Sequence, residues 1–173
     1  IWWNRDRIYD FKDTKMIIEA FNKYEIPLSV LLLSEFWHIK DSQDYNKYKT
    51  GFTFNPELFS NPIEFIKYMH DRGIRVGLNI DPIEGVRKEE SAYLAMANDI
   101  GINTDNTIPF NVFDKMFIIN YIDKIINPLL YAGVDFFWND YKGDIKDLNA
   151  LDYYYVKNYD KNDKLRAMML TRN

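Results

Sequence analysis

The feature that most constrains this chain is a set of apolar runs too continuous for a sheet with one wet face. Leu28 to Trp37 reads LSVLLLSEFW, Ile74 to Ile80 reads IRVGLNI, and Val134 to Trp138 reads VDFFW. A strand with a solvated face alternates apolar and polar residues; one covered on both faces is apolar nearly throughout, and helices usually provide the cover. The intervening segments supply them. Between Phe11 and Tyr24, the residues Ile17, Phe21 and Tyr24 fall at helical spacing, and Pro27 stops the segment. At Asn61-Pro62 a side-chain acceptor precedes a proline pre-set for the first helical position, and Glu64 resembles the far half of a capping box. Ile63, Ile66 and Met69 are expected to form one face of that helix, with Gly73 as its C-terminal stop. Further helices are expected near Glu89 to Asn98, over Phe113 to about Asn127 with Pro128 kinking or ending it, and near Leu148 to Tyr159. Ile1 to Asn4 reads as the end of a strand, and Ala167 to Leu170 as the start of a last one. Such alternation argues for parallel βα units with right-handed crossovers.

The chain has 173 residues, 47% of them apolar and 17% aromatic, enough for a sizeable core and for one domain spanning residues 1–173. Lys and Arg total 22 against 26 Asp and Glu, with the signs interspersed, so the basic face that a nucleic-acid partner requires is missing. Without cysteine there is no thiolate nucleophile and no cysteine metal site. No apolar run reaches the roughly 18 residues of a membrane span. The domain reads as soluble, with the cytoplasm the favoured compartment. Dinucleotide, P-loop and nucleophile-elbow signatures are absent, and only His38 and His70 are present, so neither a metal nor an organic cofactor is expected.

What remains is carboxylates and aromatics placed where the apolar runs stop. Those ends read Ser34-Glu35-Phe36-Trp37-His38, Asn79-Ile80-Asp81-Pro82, Trp138-Asn139-Asp140-Tyr141 and Thr171-Arg172-Asn173. In a parallel β/α barrel these C-terminal strand ends build the active site. Aromatic faces flanked by carboxylates suit a sugar: ring C–H groups pack on the aromatic, hydroxyls bond the carboxylates, and a carboxylate can attack the anomeric carbon.

The run VDFFWNDYKGD resembles the nucleophile strand of glycoside hydrolase family 31, the α-glucosidase and α-xylosidase family, whose pattern is Trp-x-Asp at a strand end. The resemblance continues in register: IPLSVLLLSEFWH is similar to the family's second barrel strand, TFNPELFSNPIEFIKYMHDRGIRVGLNIDP to its helix and third strand, and MLTR to its fifth. It implies an α/β fold of the (β/α)8 TIM-barrel type, incomplete at about the first five strands. It also implies a retaining, exo-acting α-glycosidase acting on a carbohydrate substrate. Carried over by residue, Asp140 matches the catalytic nucleophile, Trp138 a glycone-subsite aromatic and Arg172 an arginine that binds glycone hydroxyls. Tyr141 follows the nucleophile, where many members have Met. Asp81 either supports the pocket or forms a turn, and Trp2 or Trp3 walls the pocket, with Trp3 taken as the binding residue.

The chain departs from the family pattern at particular positions. Ser34 stands where many α-glucosidases have an Asp that contacts the sugar, and Tyr-Lys-Gly follows Asp140 in place of Met-Asn-Glu. A divergent branch acting on a sugar other than glucose is therefore expected. The family's general acid/base follows the fifth strand, outside these 173 residues, so the chain alone is expected to be inactive and to form a homodimer or aggregate through its open sheet edge. The rival readings are a non-catalytic carbohydrate-binding barrel relic and a lyase or aldolase barrel, for which only Lys142 lies near a strand end.

Overall fold

The structure, a computed structural model, describes residues 1–40, 50–103, 106–140, 143–159 and 167–171. Its centre is a sheet of five strands: β1 (Trp2–Trp3), β2 (Val30–Leu33), β3 (Arg75–Ile80), β4 (Phe136–Asn139) and β5 (Met169–Thr171). Their order in the sheet is their order in the chain, and every neighbouring pair is parallel. Helices fill the crossovers: α1 (Phe11–Lys23), α2 (Pro62–His70), α3 (Tyr93–Ile100), α4 (Lys115–Tyr121), α5 (Asn127–Tyr131) and α6 (Ile145–Tyr159). Sequential parallel strands with a helical crossover after each are the winding of a (β/α) barrel, here over five strands.

Side-chain alternation divides the sheet into two apolar faces. On one, Leu31, Leu33, Val76, Leu78, Ile80 and Phe137 pack against the helices in the main core, each contributing about 1.5 to 3 kcal/mol when fully buried. On the other, Val30, Leu32 and Phe136 form a separate cluster with Trp138 and Leu170, and the Trp2 ring lies 5.6 Å from that of Phe136. This second face is the barrel interior. Gly77 belongs to it and leaves the space that the Phe136 ring occupies.

The capping residues act as their chemistry requires. Asp10 accepts the Asp13 amide at 2.7 Å, Asn61 the Glu64 amide at 3.2 Å, and Asp114 the Phe117 amide at 2.8 Å. On α2 the buried face differs from expectation. Phe65, Ile66 and Met69 are buried while Ile63 is 63% exposed. Phe65 meets the rings of Phe11 at 5.4 Å and Phe59 at 4.7 Å, and Ile63 lies about 160° around the helix from it. Pro128 does not end its helix. The run passes from α4 through a π-helical turn, Ile122–Ile126, into α5, and this wider turn accommodates a residue that lacks an N–H and whose ring crowds the carbonyl four residues earlier.

β2 is shorter than its apolar run. The chain leaves the sheet at Ser34, and Trp37, 2% exposed, turns into the core and donates its indole N–H to Asn79 O at 2.8 Å. At the opposite, N-terminal end of the sheet, Asp135 accepts from Arg75 at 2.6 Å, from the Val76 amide at 2.7 Å, and pairs with His70 at 2.8 Å. His70 thus ties α2 to the base of the barrel, away from the strand ends that carry the candidate residues.

Candidate active site at the C-terminal strand ends

Ser34, Asp81 and Asp140 are the residues that follow β2, β3 and β4. Parallel pairing puts these ends at one rim, with Leu33 opposite Leu78 and Ile80 opposite Asn139. The Asp140 amide donates to Ile80 O at 3.0 Å, which extends the β3–β4 ladder one residue past the strand and pins the Asp140 backbone. Asn139 faces the helices: its amide nitrogen donates to Asp152 on α6 at 3.0 Å and lies 2.8 Å from Met169 Sδ. Alternation therefore turns its neighbours Trp138 and Asp140 toward the barrel interior. Trp138 packs there against the cluster built on Val30, Leu32 and Phe136. Asp140 is half-buried.

Ser34 is buried, and its hydroxyl donates to Arg5 O at 2.9 Å, so its single donor is spent on the β1–α1 connection. Asp81, 5% exposed, accepts the Ile83 amide at 3.1 Å, an Asx-type turn through Pro82. Its charge adds to burial in raising the Tyr121 phenol far above its usual range, and the Tyr121 hydroxyl has no hydrogen-bond partner among the described residues.

Trp3 lies on the helix-facing side of the sheet, edge-on to Tyr9 at 4.9 Å and packed on the main core. Of the two tryptophans in β1, Trp2 is the one whose ring meets the interior cluster. Tyr141 and Arg172 lie outside the described residues, as does Lys142. His38 is buried, with Nδ1 3.1 Å from Ile39 O. Among the described residues no group of three or more His, Cys, Asp and Glu is arranged to hold a metal ion, and no helix is long and apolar enough to cross a membrane.

The sequence reading missed Asp152. One of its oxygens takes the Asn139 amide and the other the Thr171 hydroxyl at 2.9 Å, so this α6 carboxylate joins the ends of β4 and β5. The available signal was an Asn and a Thr at strand ends, on the face that is otherwise apolar. Together the rim offers a half-buried carboxylate two residues after an indole that packs on the Phe136 cluster, with polar groups on the adjoining strands. Such a surface can pack a sugar ring and present an oxygen nucleophile to it.

Comparison with known proteins bears on the fold. The family model for the glycosyl hydrolases family 31 TIM-barrel domain matches residues 1–169. Among solved structures, a family 31 dextranase from Flavobacterium johnsoniae superposes with TM-score 0.67 at 15% identity, covering 98% of this chain and 24% of the dextranase chain. A family 31 α-xylosidase from Xanthomonas citri gives 0.65 at 17%, covering 99% and 22%. A family 31 α-glucosidase from Bacteroides thetaiotaomicron gives 0.63 at 20%, covering 98% and 32%. A search of curated sequences returns no significant match. This chain thus spans well under half the length of the solved structures it resembles, and the shared part is the strand-and-helix scaffold described above. It belongs to glycoside hydrolase family 31, with residues 1–169 in that family's TIM-barrel domain.

Proposed function

We propose that residues 1–173 are the nucleophile-bearing part of the catalytic barrel of a retaining, exo-acting α-glycosidase. The observation that carries the reading is Asp140: a carboxylate just past the end of β4, its amide bonded to Ile80 O and its neighbour Trp138 packed in the interior cluster. In this mechanism Asp140 attacks the anomeric carbon while a general acid from outside these residues protonates the departing oxygen. The glycosyl-enzyme ester then yields to water, with the acid acting as base, and the two carboxyl groups stand about 5 to 5.5 Å apart. Trp138 packs on the sugar ring, Arg172 binds glycone hydroxyls, and Tyr141 and Asp81 shape the surroundings. Ser34 presents a neutral oxygen whose proton is engaged by Arg5 O, which supports a glycone other than glucose. Without the acid, residues 1–173 alone do not turn over an unactivated glycoside.

The test is Asp140→Asn in the protein at its natural length, assayed on a panel of aryl α-glycosides. Turnover is expected to fall by several orders of magnitude with the fold retained, because the substitution keeps the size and removes the nucleophilic charge. Near-normal turnover by the variant removes Asp140 from the mechanism, and a wild-type preference for α-glucoside refutes the role given to Ser34.

A further inference from the structure

The connection from β2 to α2 has two described legs, residues 34–40 and 50–61, and both are held by one ion pair from the β3–α3 connection. Arg87 Nη2 donates to Ile39 O at 3.1 Å and to Thr50 O at 3.3 Å. Glu90 Oε2 accepts from the Phe52 amide at 3.1 Å and from the Thr53 hydroxyl at 2.7 Å. The two side chains face each other at 3.5 Å, and each residue is more than nine-tenths buried, at 7% and 4% exposed. Glu84 adds a reciprocal pair with Thr50: its carboxylate accepts the Thr50 amide at 3.3 Å, and the Thr50 hydroxyl accepts the Glu84 amide at 3.1 Å. A buried ion pair recovers its desolvation only through close geometry and further hydrogen bonds. Here the bonds just named run to the two legs.

The held legs lie against the rim. Gly51 passes so close to His38 that a Cβ at position 51 would overlap the imidazole. His38 bridges to Phe54 and sits edge-on to the Trp37 ring at 5.6 Å. The Trp37 indole donates to Asn79 O, and Asn79 pairs in register with Trp138, two residues before Asp140. Contact is therefore continuous from the buried pair to the β3 and β4 ends. We propose that Arg87 and Glu90 are positioning residues for the candidate active site: they clamp both legs of the β2–α2 connection and thereby fix His38, Trp37 and the β3 end beside the strand that carries Asp140. The kinetic consequence rests on the glycosidase reading; the structural one does not.

The test uses the protein at its natural length and compares Glu90→Gln, the milder Thr53→Val, and Asn61→Ala, which removes a helix cap outside the clamp. Hydrogen exchange is followed over residues 50–54 and 79–81, and kcat and KM are measured on the best aryl α-glycoside. Glu90→Gln is expected to speed exchange in both segments and to lower kcat about tenfold or more while KM changes less than about threefold, the signature of a misplaced rather than an unbound substrate. Thr53→Val shifts the same quantities less, and Asn61→Ala leaves kcat within about twofold of wild type because it touches no clamp contact. Faster exchange at 50–54 with unchanged exchange at 79–81, or an unchanged kcat in an active enzyme, overturns the proposal. Should Glu90→Gln fail to fold, Thr53→Val decides by the same criteria. If the wild type cleaves no α-glycoside, the glycosidase reading falls, and exchange at 79–81 still decides whether the pair positions the β3 end.

Discussion

Replacing Gly77 with Ala tests the claim that the second apolar face of the sheet is a packed barrel interior. A Cβ built on Gly77 meets Phe136 Cζ and lies 2.6 Å from Phe136 Cε2 and 2.9 Å from Leu32 Cδ1. Carbon atoms prefer about 3.5 to 4.0 Å, so the ring must retreat by about 1 Å. Phe136 is buried and already against Trp2 and Leu32, which leaves little room for that movement. Overpacking of this kind costs about 1 to 3 kcal/mol, while Ala in place of a strand Gly regains about 0.5 to 1 kcal/mol of backbone entropy. The net expectation is a loss of up to about 2.5 kcal/mol. Phe136→Leu alone also destabilises, by removing ring volume, but it clears the space the new methyl needs. The double variant is therefore less destabilised than the sum of the singles, by more than the ~0.5 kcal/mol within which independent sites add. Native-state hydrogen exchange of the β3 amides reads this without requiring the whole protein to unfold in one step. Full stabilisation by Gly77→Ala, or strict additivity with Phe136→Leu, refutes the packed interior at this level of the barrel.

Asp135→Ala removes the acceptor shared by Arg75, His70 and the Val76 amide, and the loss of hydrogen bonds to charged groups is expected to cost about 1.5 to 3 kcal/mol in thermal or denaturant unfolding. Because this carboxylate sits at the N-terminal end of the sheet, KM is expected to stay unchanged in an active enzyme. Tyr121→Phe deletes a buried hydroxyl that has no partner among the described residues, so stability is expected to hold or rise by about 1 kcal/mol; a loss above that size reveals a bonded hydroxyl. Burial raises the Glu90 carboxyl above its ordinary value, against the opposing hydrogen bonds from Thr53 and Phe52 and the Arg87 charge. The folded state then holds the Glu90 proton more tightly than the unfolded state does. The stability this contributes is full below about pH 4.3 and is lost as pH rises through the folded value. Measured as the difference in unfolding free energy between wild type and Glu90→Gln, wild type is expected to lose ground as pH rises through that window; a gain shows that the hydrogen bonds and Arg87 outweigh burial.

Which parts of this protein were legible in the sequence follows from the range of the interactions involved. The apolar runs, the Asn61 cap and the Gly73 stop act within a few residues, so the alternation of strand and helix, and with it the parallel α/β class, was already determined. The place of Asp140 at the end of β4 was equally readable, since a polar residue directly after an apolar run marks the point where a strand leaves the core. What only tertiary structure decided depends on which side of an element meets a neighbour. Local spacing put Ile63 on the buried face of α2, but the larger Phe65 ring found Phe11 and Phe59 and rotated the stripe. Trp2 and Trp3 are adjacent in sequence, yet the pleat sends one ring to the interior cluster and the other to Tyr9, a choice of register that no local pattern encodes. Asp152, 13 residues from Asn139, became a support of the β4 and β5 ends only when α6 packed across both strands. Arg87 and Glu90 belong to the same class. In the sequence they are two charges near the start of an expected helix, and it takes the folded β2–α2 connection, 37 or more residues away in the chain, to bury them and give each its hydrogen bonds.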